Sequence, residues 1–186
     1  MNEIIPAILP KDVEDLIHKA GMLPLEIPFF HMDVLEEDIW AENINKEFEA
    51  HLMVKDPHSI MNRWVERGAK RLIIHKPDAE IAKFRDRTEI GLAAEMDTHL
   101  EEVFPFVDFV DFIHLMSIDE IGEQGHPLDE KIFDRIKQVR EKYPEIPISI
   151  DGGINAKNYK KLIEAGATRL IVGSHFKEVW NSMMTG

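Results

Sequence analysis

Four residues in this sequence have side chains that could hold a cation and move protons. His31 and Asp33 stand two apart at the end of the run Ile27-Pro28-Phe29-Phe30, so on a strand they share one face. His51 closes Phe48-Glu49-Ala50, and Asp151 closes Ile148-Ser149-Ile150 before two glycines. Two imidazoles and two carboxylates converging on one point make a nitrogen and oxygen donor set for a divalent ion of the first transition row, such as zinc, iron, manganese or cobalt. Taken singly, each histidine reads more readily as a hydrogen-bonded core or surface residue, and Asp151-Gly152-Gly153 equally well as a tight turn. Their shared position, at the ends of apolar β-branched runs, favours a common site. The glycines add a second chemistry. They let the backbone come close to a ligand, and a strand-glycine-helix junction aims free N–H groups and the positive end of a helix dipole at a phosphate.

Composition narrows the setting. The 186 residues, 44% of them hydrophobic, suffice for one domain with a sizeable core, expected to span 1–186. No apolar run reaches the ~20 residues of a membrane span, and Met1-Asn2-Glu3 does not open like a signal peptide, so a soluble, cytoplasmic protein is expected. With no cysteine, any metal must be held by the nine histidines and the carboxylates. A net charge of -13 argues against nucleic acid as a partner, because phosphate backbones are gripped mostly by Lys and Arg.

The elements that must position these residues alternate along the chain. Ile4–Leu9 reads as a strand, Val13 to Ala20 as a helix stopped at Gly21, and Ile27–Asp33 as a second strand. Residues 35 to 47 carry Ile39, Trp40 and Ile44 but leave room for a short helix at most, so one side of the barrel should be thinly covered there. These apolar side chains either patch it or meet a partner subunit in a homo-oligomer. Phe48–Val54 is a third strand, followed by a helix opened by Asp56-Pro57 and striped by Ile60, Met61, Trp64 and Val65. Leu72–His75 is a fourth strand, Asp78 opens a helix through Phe84, Ile90–Ala93 is a fifth strand, and Thr98 with Glu101 suggests a capping box. Phe109–Ser117 is a sixth strand, residues 118–127 a polar loop, and Ile132 to Tyr143 a helix. The seventh strand ends at Asp151, with Asn155 as N-cap of the helix after it, and Leu170–Ser174 is the eighth strand before a last helical face. Eight strand-helix units predict a closed (β/α)₈ barrel, trimmed at the second connection, since such barrels typically run to ~250 residues. Active groups of that fold sit at the C-terminal ends of the strands, where His31, Asp33, His51, His75, Ser117, Asp151 and Gly173-Ser174 fall. A phosphate would rest after strands 7 and 8, near Gly153, Gly173 and Ser174. His114, two residues before Met116, should point inward one layer deeper and be hydrogen-bonded.

Several segments together resemble, in order, the signatures of the ribulose-phosphate 3-epimerase family: His31-Met32-Asp33-Val34, His51-Leu52-Met53-Val54, His75, Leu115-Met116-Ser117, Asp151-Gly152-Gly153-Ile154 and Gly173-Ser174. The resemblance runs nearly end to end and implies a metal-dependent epimerase. It would interconvert D-ribulose 5-phosphate and D-xylulose 5-phosphate through an enediolate. It further implies that His31, Asp33, His51 and Asp151 bind the metal, and that Asp33 and Asp151 are the acid/base pair, one for each face of the substrate carbon. Met53, His75, Met116, Gly152, Gly153, Gly173 and Ser174 then surround the phosphorylated sugar. The chain departs from the family where Leu35-Glu36-Glu37-Asp38 follows strand 2, where Ala7 stands for a serine, where Glu95-Met96 replaces asparagine-proline, and in the loop 121–125. Two other readings fit the altered periphery: turnover of another phosphorylated sugar, or an inactive barrel kept for binding or assembly.

Overall fold

The computed structural model describes residues 2–42, 44–119 and 125–184. Eight strands pair in parallel and in sequence order into a closed barrel, β8 returning to β1. They are β1 (Glu3–Ile8), β2 (Phe29–Val34), β3 (Glu47–Leu52), β4 (Arg71–Ile74), β5 (Glu89–Ala94), β6 (Phe112–Met116), β7 (Ile148–Asp151) and β8 (Arg169–Val172). Strand alternation divides their side chains between two very different environments. Ile4, Phe30, Leu52, Leu72, Ile113 and Ile150 belong to the large apolar core beneath the helices, whereas the small apolar cluster of Ile73, Ala93 and Phe112 stands apart from it. Phe112 fills the space next to Gly91, where an added Cβ would lie 2.3 Å from its ring. Apart from these and the paired Ile5 and Ile171, much of the inner face is polar: His31, Glu49, His51, His114, Ser149 and Arg169 are all buried.

At the N-terminal end of the barrel that polarity is neutralised by a charge network. Arg71 Nη1 donates to Glu3 at 3.0 Å and to Glu49 at 3.2 Å, its Nε lies 3.3 Å from Glu89, and Arg169 Nη2 donates to Glu89 at 2.9 Å. The two guanidinium groups also lie over the rings of Phe29 and Phe112, at 4.8 and 4.7 Å.

The helices are α1 (Val13–Met22), α2 (His58–Glu66), α3 (Leu100–Val103), α4 (Ile132–Lys142), α5 (Tyr159–Ala165) and α6 (Phe176–Met184). Several local expectations need correction. Gly21 lies within α1 and does not end it. Asp78 does cap, accepting from the Glu80 N–H at 2.7 Å, but what it opens is a 3₁₀ segment, Ala79–Phe84. The Thr98/Glu101 capping box does not form, because His99 occupies the N-cap without a side-chain bond. Residues 104–109 are 3₁₀, with Pro105 in their first turn, so β6 begins at Phe112. Asn155 caps a turn, accepting from the Lys157 N–H at 2.9 Å, and α5 starts later at Tyr159.

Between β2 and β3 no helix forms among the described residues. Trp40 covers the gap instead, with its ring 5.0 Å from Phe48 and 5.6 Å from Trp64, and the Arg67 guanidinium lies over both indoles. Asp38 ties the segment to α2 by accepting from Arg63 and Arg67. Ile39, Trp40 and Ile44 are partly buried and packed on the core, so they patch the barrel as the first of the two expectations had it.

Candidate metal and acid/base site

β2 delivers His31 and Asp33 to the inner face, β3 delivers His51 and β7 delivers Asp151. One donor atom from each of the four comes within 4.8 Å of the others. The imidazoles are the deep part of the cluster, with side chains 0% exposed, and the carboxylates form its outer rim at 13% and 14%. His31 Nε2 lies 3.1 Å from Asp33 Oδ1 and 3.6 Å from Asp151 Oδ2. His51 Nδ1 lies 3.4 Å from Asp151 Oδ2 and 3.6 Å from Asp33 Oδ1, and makes no hydrogen bond although it is buried. A buried ring nitrogen without a hydrogen bond, facing two carboxylates, is in the position of a ligand atom: a cation there would satisfy it and separate the like charges. The four residues therefore fit a divalent ion.

Behind the cluster lies a set of partners that the sequence did not mark as functional. Glu49, 1% exposed, accepts from His31 Nδ1 at 2.7 Å and is itself backed by Arg71. Its signal was present: it stands two residues before His51 on one strand, and β2–β3 pairing sets it directly opposite His31. His114 does point inward. Its Nε2 lies 3.2 Å from Asp151 Oδ2 and its Nδ1 3.2 Å from Ser149 Oγ. It is hydrogen-bonded as expected, but to a residue of the site.

Electrostatics follow from this packing. Burial pushes the carboxyls of Asp33 and Asp151 up, but the facing imidazoles of His31, His51 and, for Asp151, His114 outweigh it and hold both below the usual range. Burial likewise pushes Glu49 up and His31 reverses it. Burial pushes His31 and His51 down, yet the facing carboxylates raise both above an ordinary histidine. His114 and His75 go the other way, to about 4 and about 3, chiefly through burial and the neighbouring imidazoles.

Of the remaining sequence candidates, Met53, Met116, Gly152, Gly153, Gly173 and Ser174 line one cavity at the mouth together with Asp33 and Asp151. His75 is not on that cavity wall; its Nε2 lies 2.7 Å from His51 Nε2. The glycine pair is a requirement of the turn. Gly152 and Gly153 have φ of 111° and 65°, and a Cβ on Gly153 would lie 2.2 Å from the Leu128 backbone. The close approach there is thus to the protein's own loop, and Ser117 braces it with its hydroxyl 2.6 Å from the Gly152 carbonyl. Most of the expected loop 121–125 lies outside the described residues, but Gly125 and His126 reach the cavity, as does His175. Neither histidine stood out in the sequence.

Comparison with known proteins agrees with this geometry. The sequence pattern of the ribulose-phosphate 3 epimerase family matches residues 3–177. The ribulose-phosphate 3-epimerase of Schizosaccharomyces pombe is 25% identical over 195 residues, covering 92% of this chain and 85% of that one. That of Mycoplasma genitalium is 30% identical over 144 residues, covering 73% and 67%. Among solved structures, KGPDC from Streptococcus mutans superposes with a TM-score of 0.74, covering 100% of this chain and 99% of that one at 12% identity, a likeness of fold alone.

Proposed function

Because this chain belongs to the ribulose-phosphate 3 epimerase family, which makes it an isomerase-class enzyme, we propose that it interconverts D-ribulose 5-phosphate and D-xylulose 5-phosphate, with residues 1–186 acting as one barrel domain. The observation that carries the reading is the convergence of His31, Asp33, His51 and Asp151 at the mouth, with the buried His51 Nδ1 lacking a hydrogen bond. A divalent ion held by these four would supply positive charge to the oxygens of the ketose. Inverting a carbon next to a ketone needs a proton removed from one face and another delivered to the opposite face. Asp33 and Asp151 come from β2 and β7, separated around the barrel by β1 and β8, and each keeps an edge open to the mouth. Each aspartate serves the face it reaches: one takes the proton at its carboxylate oxygen and the other returns one. His114 donates to Asp151 and orients that carboxylate, while Met53 and Met116 shield the reacting carbon from water. Backbone groups at Gly153, Gly173 and Ser174 receive the phosphate, so no basic surface is needed.

A second reading, turnover of a longer phosphorylated ketose, draws on a cavity of about 650 Å³ beside the site. It shares Asp33 and Met53 with the mouth and is walled by Leu9, Pro10, Leu35 and Ile39, where the trimmed second connection leaves space. One experiment tests both. Protein loaded in turn with zinc, manganese, iron or cobalt is incubated in D₂O with pentulose and hexulose phosphates, and deuterium uptake and epimer formation are followed by NMR. Uptake with inversion of ribulose 5-phosphate is the expected result. Faster turnover of a hexulose phosphate would favour the second reading, and no exchange with any ketose phosphate would refute both.

A further inference from the structure

We infer that Glu95, acting through His75, is a positioning group for His51 that presets which of its ring nitrogens faces the site. The inference rests on the metal-dependent reading above. His75 Nδ1 lies 2.9 Å from Glu95 Oε1, and His75 Nε2 lies 2.7 Å from His51 Nε2. The two imidazoles are 3° from parallel with centroids 4.9 Å apart, which is the length of the bond plus a ring radius at each end. They therefore meet edge to edge in one plane and do not stack face to face.

Hydrogen-bond logic then runs in one direction. A carboxylate accepts only, so His75 carries its proton on Nδ1 and donates it to Glu95. Neutral His75 is left with a lone pair on Nε2, so His51 Nε2–H must be the donor between the two rings. Neutral His51 then has a bare lone pair on Nδ1, the buried atom that makes no hydrogen bond and faces both aspartates. The bond to His75 also prevents the His51 ring from turning over, which would put a carbon where the ligand nitrogen belongs. Glu49 does the same for His31 in a single step, so each imidazole is set from outside by a carboxylate, on the adjoining strand β3 for His31 and just past β5, beyond β4, for His51.

The far end of the relay is built to stay in place. Glu95 follows the last residue of β5, and the backbone after it is clamped by Arg135 of α4, a buried guanidinium. Arg135 donates to the carbonyls of Glu95 at 2.9 Å, Met96 at 3.2 Å and Thr98 at 2.8 Å. The clamp fixes the backbone from which the partly exposed Glu95 side chain reaches His75.

The test uses zinc and three forms of the full chain: wild type, Glu95→Leu, which removes the acceptor, and Glu95→Gln, which keeps an acceptor oxygen. In zinc-loaded, ¹⁵N-histidine-labelled wild type, long-range NMR should show the proton of His75 on Nδ1 and that of His51 on Nε2. Zinc affinity, measured by chelator competition, should fall about 10–100-fold in Glu95→Leu and less in Glu95→Gln. A His75 proton on Nε2 overturns the inference. So does unchanged zinc affinity in Glu95→Leu alongside a lowered thermal midpoint of the chelated protein, because that combination assigns Glu95 a purely structural role. Wild type that binds no divalent ion removes the metal-dependent reading and this inference with it. Tight wild-type binding with unaltered variants removes this inference alone.

Discussion

Asp33 and Asp151 are each partly open to the mouth and face imidazoles, so the two functions proposed for them, holding a cation and moving a proton, can be separated by experiment. Asp33→Asn and Asp151→Asn should each lower epimerisation by about 10²–10⁴-fold. Each should still allow solvent exchange on the face served by the surviving carboxylate, so exchange without inversion is the expected signature. Metal content has to be measured in both variants, since loss of the ion would silence both half-reactions together. Near-normal turnover with metal bound would dismiss the two-aspartate scheme. At this scale the sequence was most legible where chemistry coincides with a strand end, as in His31-x-Asp33 and Asp151-Gly152-Gly153. It was least legible where the chemistry lies across strands. His75 and His114 were placed from the sequence but not their bonding partners, and Glu49 and Glu95 matter because of what they face across strands, a register that a single chain read in order does not carry.

At the scale of elements, the connection between β2 and β3 shows how a barrel side can be closed without a helix among the described residues. Trp40 supplies the area, and Asp38 anchors the segment to α2 through two arginines. Truncating the indole in Trp40→Ala should cost about 2–3 kcal/mol, below the range for a fully buried aromatic because this ring is only partly covered. Asp38→Ala should cost about 1 kcal/mol, as befits charge-assisted bonds near the surface. Chemical denaturation of the two variants measures both, and an indole whose loss changes nothing would mean that the segment does not seal the barrel. The sequence indicated the short span and its apolar residues but could not choose between a patch and a subunit contact, because that choice depends on where Phe48 and Trp64 end up. The β7 turn is stricter. Gly153→Ala puts a Cβ into the Leu128 backbone at a left-handed φ of 65°, so it should destabilise the fold by about 2 kcal/mol or more and displace the loop over the mouth. A variant with unchanged stability and unchanged mouth would mean that the turn is not under this constraint.

At the scale of the whole molecule, the eight alternating units were readable because each strand carries an apolar outward face, and that face builds the large core. The deeper polar interior, Glu49, Ser149 and Arg169, was not, since the same period-two pattern would serve a barrel filled with valine and leucine. The buried histidines and carboxylates make stability depend on pH. His75 and His114 titrate at about 3 and about 4 when folded, against 6.5 for an ordinary histidine. Between those values the unfolded chain binds protons that the folded one does not, so stability rises with pH up to about 6.5. The lowered pKa values of Asp33, Asp151 and Glu49 contribute stability that is present above the ordinary carboxylate range and lost below it, which steepens the acid side. His31 and His51 have the opposite sign. Their folded values are raised above 6.5, so their contribution is complete below that pH and disappears as pH rises through the folded values. Chelated protein should therefore have a thermal midpoint that peaks near pH 6.5 and falls on both sides. A divalent ion requires both imidazoles to be neutral and so replaces the protons responsible for the alkaline decline, and its affinity grows as those protons leave. Manganese at a fixed concentration, a hundredfold above its Kd at alkaline pH, should add about 2.7 kcal/mol there and less toward acid pH, turning the decline into a plateau or a rise. Thermal midpoints from pH 4 to 9, with chelator and with manganese, measure this directly. A chelated protein that continues to gain stability above pH 8, or a manganese effect that does not change with pH, would mean that His31 and His51 are not the groups exchanging a proton for the ion.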